Sequence, residues 1–190
     1  MAGTSNPIPI RRATEDDIPI IRALADVCFH DTYRTILSPE QMEYMMDWMY
    51  SEESLRRQMG RDGHVYFLAG PADAPCAYFS VQPLGLQEDG AYLFEFQKMY
   101  LLPECKGKGY GRQLVDHVFR FVREAGGGWP CRIELHVNRY NPVVSFHKHM
   151  GFTILREGDF PIGHGYFMND YIMGISLNTG LCPEPRASRP

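Results

Sequence analysis

The chain has 190 residues, 44% of them hydrophobic and 22% charged, with a formal net charge of -4. Those values suit one globular domain with a real core, and they leave no electrostatic footprint for nucleic acid as the main partner. The five cysteines are odd in number, widely spaced and without a C-x-x-C, which argues against a disulfide framework and a zinc site.

The N-terminal "MAGTSNPIPIRR" has no apolar signal core, and no stretch approaches the length of a membrane span. We read the protein as cytoplasmic, with no membrane partner. Residues 1–7 read as a loose tail and 8–13 as a first strand. Thr14 then caps a helix with acids in its first turn, and Asp17 stands three residues on. Ser38-Pro39 opens a second helix, with proline at the first helical position, and Ser51 caps a third over 52–59. The methionine and aromatic stripe at 42, 45, 46, 48 and 49 reads either as core packing or as one wall of a substrate pocket.

After Gly63 the period changes from helix to strand. Strands are predicted at 64–69, 76–84 and 91–102, the first two joined by a Gly-Pro-rich turn. A helix over 109–125 ends at Gly126-Gly127-Gly128. "CRIELHV" (131–137) alternates as a strand, a short helix fits 142–150, and strands at 152–157 and 165–177 close the sheet. The proline-rich end, 178–190, reads as a disordered tail. The domain is therefore 8–177, an α/β (α+β) fold with a mixed, mostly antiparallel sheet flanked by helices.

"PECKGKGYG" raises a question, because glycine is a poor helix former and an amphipathic helix follows at once. Tyr110, Leu114, Val118 and Val122 recur every four residues with Val115 and Phe119 beside them, so the helix is real. A helix start offers unpaired N–H groups and partial positive charge, and removing side chains lets an anion approach them. Lys106 and Lys108 add charge. The alternative is a loop whose glycines serve tight turns alone. A P-loop needs G-x-x-x-x-G-K-S/T and a dinucleotide fingerprint needs G-x-G-x-x-G; neither spacing is present.

Lys106 to Gly111 resembles the Q/R-x-x-G-x-G/A pyrophosphate loop of the GNAT acyl-CoA N-acyltransferases, with lysine in the first place. "VNRYNPVVSFHKHMGF" (137–152) resembles that family's segment in which an Asn leads into a helix ending Y-x-x-x-G-F. "IRRATEDD" and "MYLLPE" are also similar to the family's opening and strand-to-loop entry. The likeness spans roughly residues 8–177. The ending "DFPIGHGYFMNDYIM" resembles a bacterial branch that includes polyamine acetyltransferases.

The resemblance implies that strands 91–102 and 131–137 are parallel and splayed, and that acetyl-CoA, as co-substrate, lies between them. Its pyrophosphate would rest on the N–H groups of Gly107, Lys108, Gly109, Tyr110, Gly111 and Arg112. Its pantetheine arm would pair with the backbone of Met99 and Leu101. Asn138 and Asn141 would cap the following helix, contact the arm, or both. A small-molecule amine would attack the thioester directly in a ternary complex, and a homodimer is the assembly the family suggests. The residues place Glu95 on one strand face with Leu93, Gln97, Met99 and Leu101 if alternation holds. Glu95 then either binds the amine and relays its proton or faces solvent from an edge strand. His147 stands where the family has tyrosine, so it either protonates the leaving thiolate or only fills tyrosine's place; Tyr166 and Tyr171 are substitutes for the acid. His147 and His149 do not share a helix face, so no metal is expected. A catalytically idle acyl-CoA-binding protein and a generic phosphate-binding domain remain as rivals.

Overall fold

The computed structural model describes residues 6–177; residues 1–5 and 178–190, read above as tails, lie outside the described residues. The strands are β1 (Ile10–Arg12), β2 (Val65–Ala69), β3 (Ala77–Leu86), β4 (Tyr92–Leu101), β5 (Cys131–Asn138), β6 (Thr153–Gly163) and β7 (Tyr166–Leu177). The helices are α1 (Ile18–Tyr33), α2 (Pro39–Tyr50), α3 (Glu52–Met59), α4 (Tyr110–Ala125) and α5 (Val143–His149). The seven strands form one sheet in the order β1-β2-β3-β4-β5-β7-β6. Every neighbouring pair is antiparallel except β4 and β5, which are parallel. Among the described residues no helix is long and apolar enough to cross a membrane.

The predicted caps are in place. Ser38 Oγ accepts from Gln41 N–H at 3.1 Å, and Ser51 Oγ from Ser54 N–H at 3.4 Å. Each satisfies a donor that the first helical turn leaves free. Thr14 precedes a short 3-10 turn rather than α1 itself. Asp17 there accepts from Thr14 N–H at 2.9 Å and from the Arg11 guanidinium at 2.8 and 2.6 Å, which holds its carboxyl down at about 2.

Two cores sandwich the sheet. One joins α4 and α5 to the sheet through Leu114, Val115, Val118 and Val122 of α4, with Phe79, Phe94, Ile133 and Phe152. Those four α4 residues are fully buried, and they are the stripe that the period of four predicts. The other core packs α1, α2 and α3 on the opposite face, against Tyr66, Leu68 and Tyr78.

Two expectations need correction. β6 runs to Gly163, well beyond the strand predicted over 152–157. The extension takes in Pro161, which is tolerated because β6 is the outer strand, where proline's missing donor costs no ladder bond. β4 also does not alternate throughout. Lys98 has φ 53, and the β3 register slips between Tyr78 and Ser80, so an extra residue sits in β4. Tyr92, Phe94 and Phe96 pack toward α4 before this bulge; Met99 and Leu101 do so after it. Glu95 therefore does not share a face with Met99 and Leu101, because one added residue inverts the period of two.

Candidate active site

β4 and β5 pair only from Tyr92 with Cys131 to Glu95 with Glu134. Beyond that point the strands part, and a cleft of about 60 Å³ opens, lined by Phe96, Met99, Leu135, Val137, Val143 and His147 among others. The loop from β4 reaches α4 through Gly107 at φ 74 and Gly109 at φ 77, conformations that favour glycine. Gly109 is the N-cap and supplies no side chain to the helix start. A Cβ on Gly111 would meet the Phe146 ring at 3.2 Å, so glycine also lets α4 and α5 close on each other. The result is a bare helix N-terminus beside the cleft, the arrangement that receives an anion.

The charges around the loop are not all aimed at it. Lys106 Nζ pairs with Asp31 of α1 at 2.7 Å, while Lys108 is exposed. Arg112 lies 3.3 Å from His149 Nε2. Asn138 and Asn141 are buried and serve the turn into α5: their Oδ1 atoms accept from Tyr140 and Val143 N–H, both at 3.0 Å.

A larger cavity of about 460 Å³ lies on the α1–α3 face of the sheet. Met45, Trp48 and Met49 of the predicted stripe form part of its wall, whereas Met42 is core. Glu95 lines this cavity. β4 is the fourth of seven strands, so the edge-strand reading of Glu95 falls. Its Oε1 lies 3.9 Å from His136 Nε2, and His136 Nδ1 lies 3.8 Å from Asp170 Oδ2. Asp170 is 4% exposed, and its Oδ1 has no hydrogen-bond partner. Burial pushes its carboxyl up to about 6, with the charges of His136 and Arg139 opposing. Tyr33, Phe96, Lys98, Tyr100 and His136 line both the cleft and the cavity, so the two spaces meet.

Residues 62–154 match the model of the acetyltransferase (GNAT) domain family. The fold is that of a GNAT-like domain. An uncharacterized N-acetyltransferase of Lactobacillus delbrueckii subsp. lactis is 24% identical over 160 residues, covering 82% of this chain and 90% of that protein. The PaiA N-acetyltransferase of Thermoplasma acidophilum, crystallised with coenzyme A, superposes with a TM-score of 0.67 at 24% identity, over 88% of this chain and 98% of that one. A variant of the spermidine N-acetyltransferase SpeG from Vibrio cholerae gives a TM-score of 0.60 at 19% identity, over 89% and 93%. The two structural likenesses concern the fold.

The GNAT match takes in the parted strands, the glycine loop, α4 and α5. It leaves out α1–α3 and β7, which supply much of the larger cavity's wall. Within this GNAT-like domain His147 is buried at the cleft, and its Nδ1 has no hydrogen-bond partner. Burial pulls its imidazole down to about 4, so it is neutral near pH 7 and holds no spare proton there. That weighs against the reading in which His147 protonates the leaving thiolate. The tyrosine substitutes are elsewhere. Tyr171 packs on the α4–α5 side of the sheet, because period two turns it away from Asp170. Tyr166 stands four places before Asp170, roughly 13 Å along the strand, and packs on Tyr44 at 5.6 Å between ring centroids.

Three polar groups escaped the sequence reading: Tyr33 and His136 at the junction, and Asp170 in the larger cavity. Tyr33 Oη lies 3.4 Å from Tyr100 Oη and contacts Asn141. His136 carried a usable signal, since it alternates with the apolar residues of β5 on the face that Glu95 shares. Asp170 stands in an apolar strand beside Tyr171.

Proposed function

We propose that the protein moves the acetyl group of acetyl-CoA to the primary amine of a small molecule, by direct attack within a ternary complex. The reading rests on one observation above others. The cleft between the parted strands and the larger cavity share five lining residues, so a thioester in one and an amine in the other can meet. The bare start of α4 suits the pyrophosphate, and the fold is shared with a relative crystallised with coenzyme A.

The chain's own groups then divide the work. The backbone N–H groups of 107–112 hold the pyrophosphate, with Lys108 and Arg112 adding charge. Met99 and Leu101 offer the backbone of β4 to the pantetheine arm, and Asn138 and Asn141 fix the turn below it. Glu95, His136 and Asp170 receive the acceptor's ammonium and take its proton, a task suited to a carboxyl whose value lies near working pH. The departing thiolate needs a proton. We assign that donation to Tyr33, in place of His147. Tyr33→Phe is expected to lower kcat at least ten-fold, with His147→Phe, Tyr166→Phe and Tyr171→Phe near wild type. The reverse pattern would return the acid to His147 or to β7.

Calorimetric titration with acetyl-CoA tests the cofactor site, alongside Gly109→Asn and Gly109→Asp. Both residues tolerate a positive φ better than other side chains, but only Asp brings a charge to the anion site. Saturable binding that survives as Asn and vanishes as Asp supports the cradle. No binding by the wild type would overturn the reading. Binding without turnover across an amine panel would favour the idle acyl-CoA-binding alternative.

A further inference from the structure

The larger cavity holds charges of both signs that the protein leaves incompletely answered. Lys98, at the β4 bulge, sends its ammonium to Gln58 Oε1 at 2.6 Å and Gln97 Oε1 at 3.0 Å. Gln58 Oε1 already accepts from Tyr66 Oη at 2.7 Å. Among the described residues no carboxylate pairs with Lys98, and Glu95 and Asp62 act on it only through space. Burial pulls its pKa down to about 8, with Glu95 and Asp62 opposing, and the ammonium also stands 5.8 Å from the centre of the Tyr66 ring. The other cation at this cavity, Arg57, is already paired with Asp62 at 3.4 Å and donates to Ser54.

The anionic side is likewise unfinished. Asp170 Oδ1 is buried without a partner, and His136 stands between Asp170 and Glu95 at distances beyond hydrogen bonding. A purely cationic acceptor would answer the carboxylates and be repelled by Lys98. A purely anionic ligand would do the opposite. A ligand with both charges answers both, and the same cavity offers apolar lining from Met45, Trp48, Met49, Phe160 and Met168.

We propose that the acceptor is an amino acid with an apolar side chain, its carboxylate bound by Lys98 and its ammonium by Glu95, His136 and Asp170. This rests on the acetyl-transfer reading above and narrows it, setting free amino acids apart from polyamines. Lys98 is then a specificity-determining residue rather than an acid or base. The alternative is that its ammonium meets the thioester carbonyl, since Lys98 also lines the cleft.

The test uses matched pairs differing only in the carboxylate: phenylalanine with phenethylamine, and methionine with 3-(methylthio)propylamine, with spermidine alongside. Thiol release from acetyl-CoA gives kcat/KM for each. The wild type is expected to favour each amino acid over its decarboxylated twin by about 100-fold or more, the loss seen when a buried polar group goes unanswered. Lys98→Met is expected to cut that ratio at least ten-fold, mainly through KM. Equal use of both twins, preference for spermidine, or a ratio unchanged in Lys98→Met would overturn the proposal. A fall in kcat shared by all acceptors would place Lys98 at the thioester and also overturn it. Product binding needs no catalysis, so calorimetry with N-acetylphenylalanine and N-acetylphenethylamine supplies an independent arm. Tighter binding of the acid, lost in Lys98→Met, supports carboxylate recognition even if acetyl-CoA fails to bind. Equal binding rejects it even if transfer is observed.

Discussion

The face of the sheet under α4 and α5 is filled with Phe, Val, Leu and Met, whereas the face under α1–α3 buries tyrosines whose hydroxyls are paired with one another and with amides. Tyr78 Oη donates to Tyr50 Oη at 2.8 Å, and Tyr66 Oη donates to Gln58, which also holds Lys98. The apolar face closes tightly and obeys its strand and helix periods. The hydroxyl-lined face leaves a cavity and keeps polar groups under tension. Packing is thus concentrated on one side of the sheet and acceptor chemistry on the other, and substitutions should separate the two.

The largest expected effect is on the apolar face. Leu114→Ala should destabilise the protein by about 3 kcal/mol, as for a fully buried leucine whose cavity cannot collapse. Denaturant midpoints measure it, and a loss below about 1 kcal/mol would mean that this face is not the rigid one. Next comes Asp170→Asn, expected to lower kcat/KM about 100-fold, the upper part of what a positioned acid or base contributes.

The same substitution should stabilise the fold at neutral pH. Asp170 titrates at about 6 in the folded protein against an ordinary 3.8, so its stabilising share is complete below about pH 4 and is lost as pH rises through 6. The wild-type stability minus that of Asp170→Asn should fall by on the order of 3 kcal/mol between pH 4 and 7. A flat difference would place the carboxyl in a more solvated setting. Glu95→Gln should lower kcat/KM at least ten-fold, and an unchanged value would remove Glu95 from the mechanism. The smallest effect is Tyr50→Phe, about 1 kcal/mol for one buried hydrogen bond. A loss of several kcal/mol there would erase the contrast between the faces.

Much of this was legible in the sequence. The bounds of α3, the buried stripe of α4 and the glycine loop follow from caps, period and backbone freedom, all of them local properties. The bulge was not legible, since a lysine in a left-handed conformation carries no mark, and the faces of Met99 and Leu101 inverted with it. Tyr33, His136 and Asp170 come from α1, β5 and β7, and only the sheet order brings them together. The helical spacing turns His147 inward, but its charge state depends on burial, which composition cannot supply.

The extra residue in β4 makes that strand a matter of parity. Substitution at 98 or 99 leaves every side chain's face as it is so long as the bulge persists. Flattening the bulge at the same length would swing Tyr100 and Leu102 into the apolar layer and Met99 and Leu101 among the tyrosines, whereas deleting Lys98 would restore strict alternation and leave those faces unchanged. No half-measure exists between those states, because a side chain is on one face or the other. This stretch should therefore tolerate loss of the bulged residue, whereas a deletion in β4 on either side of the bulge would put one segment on the wrong face.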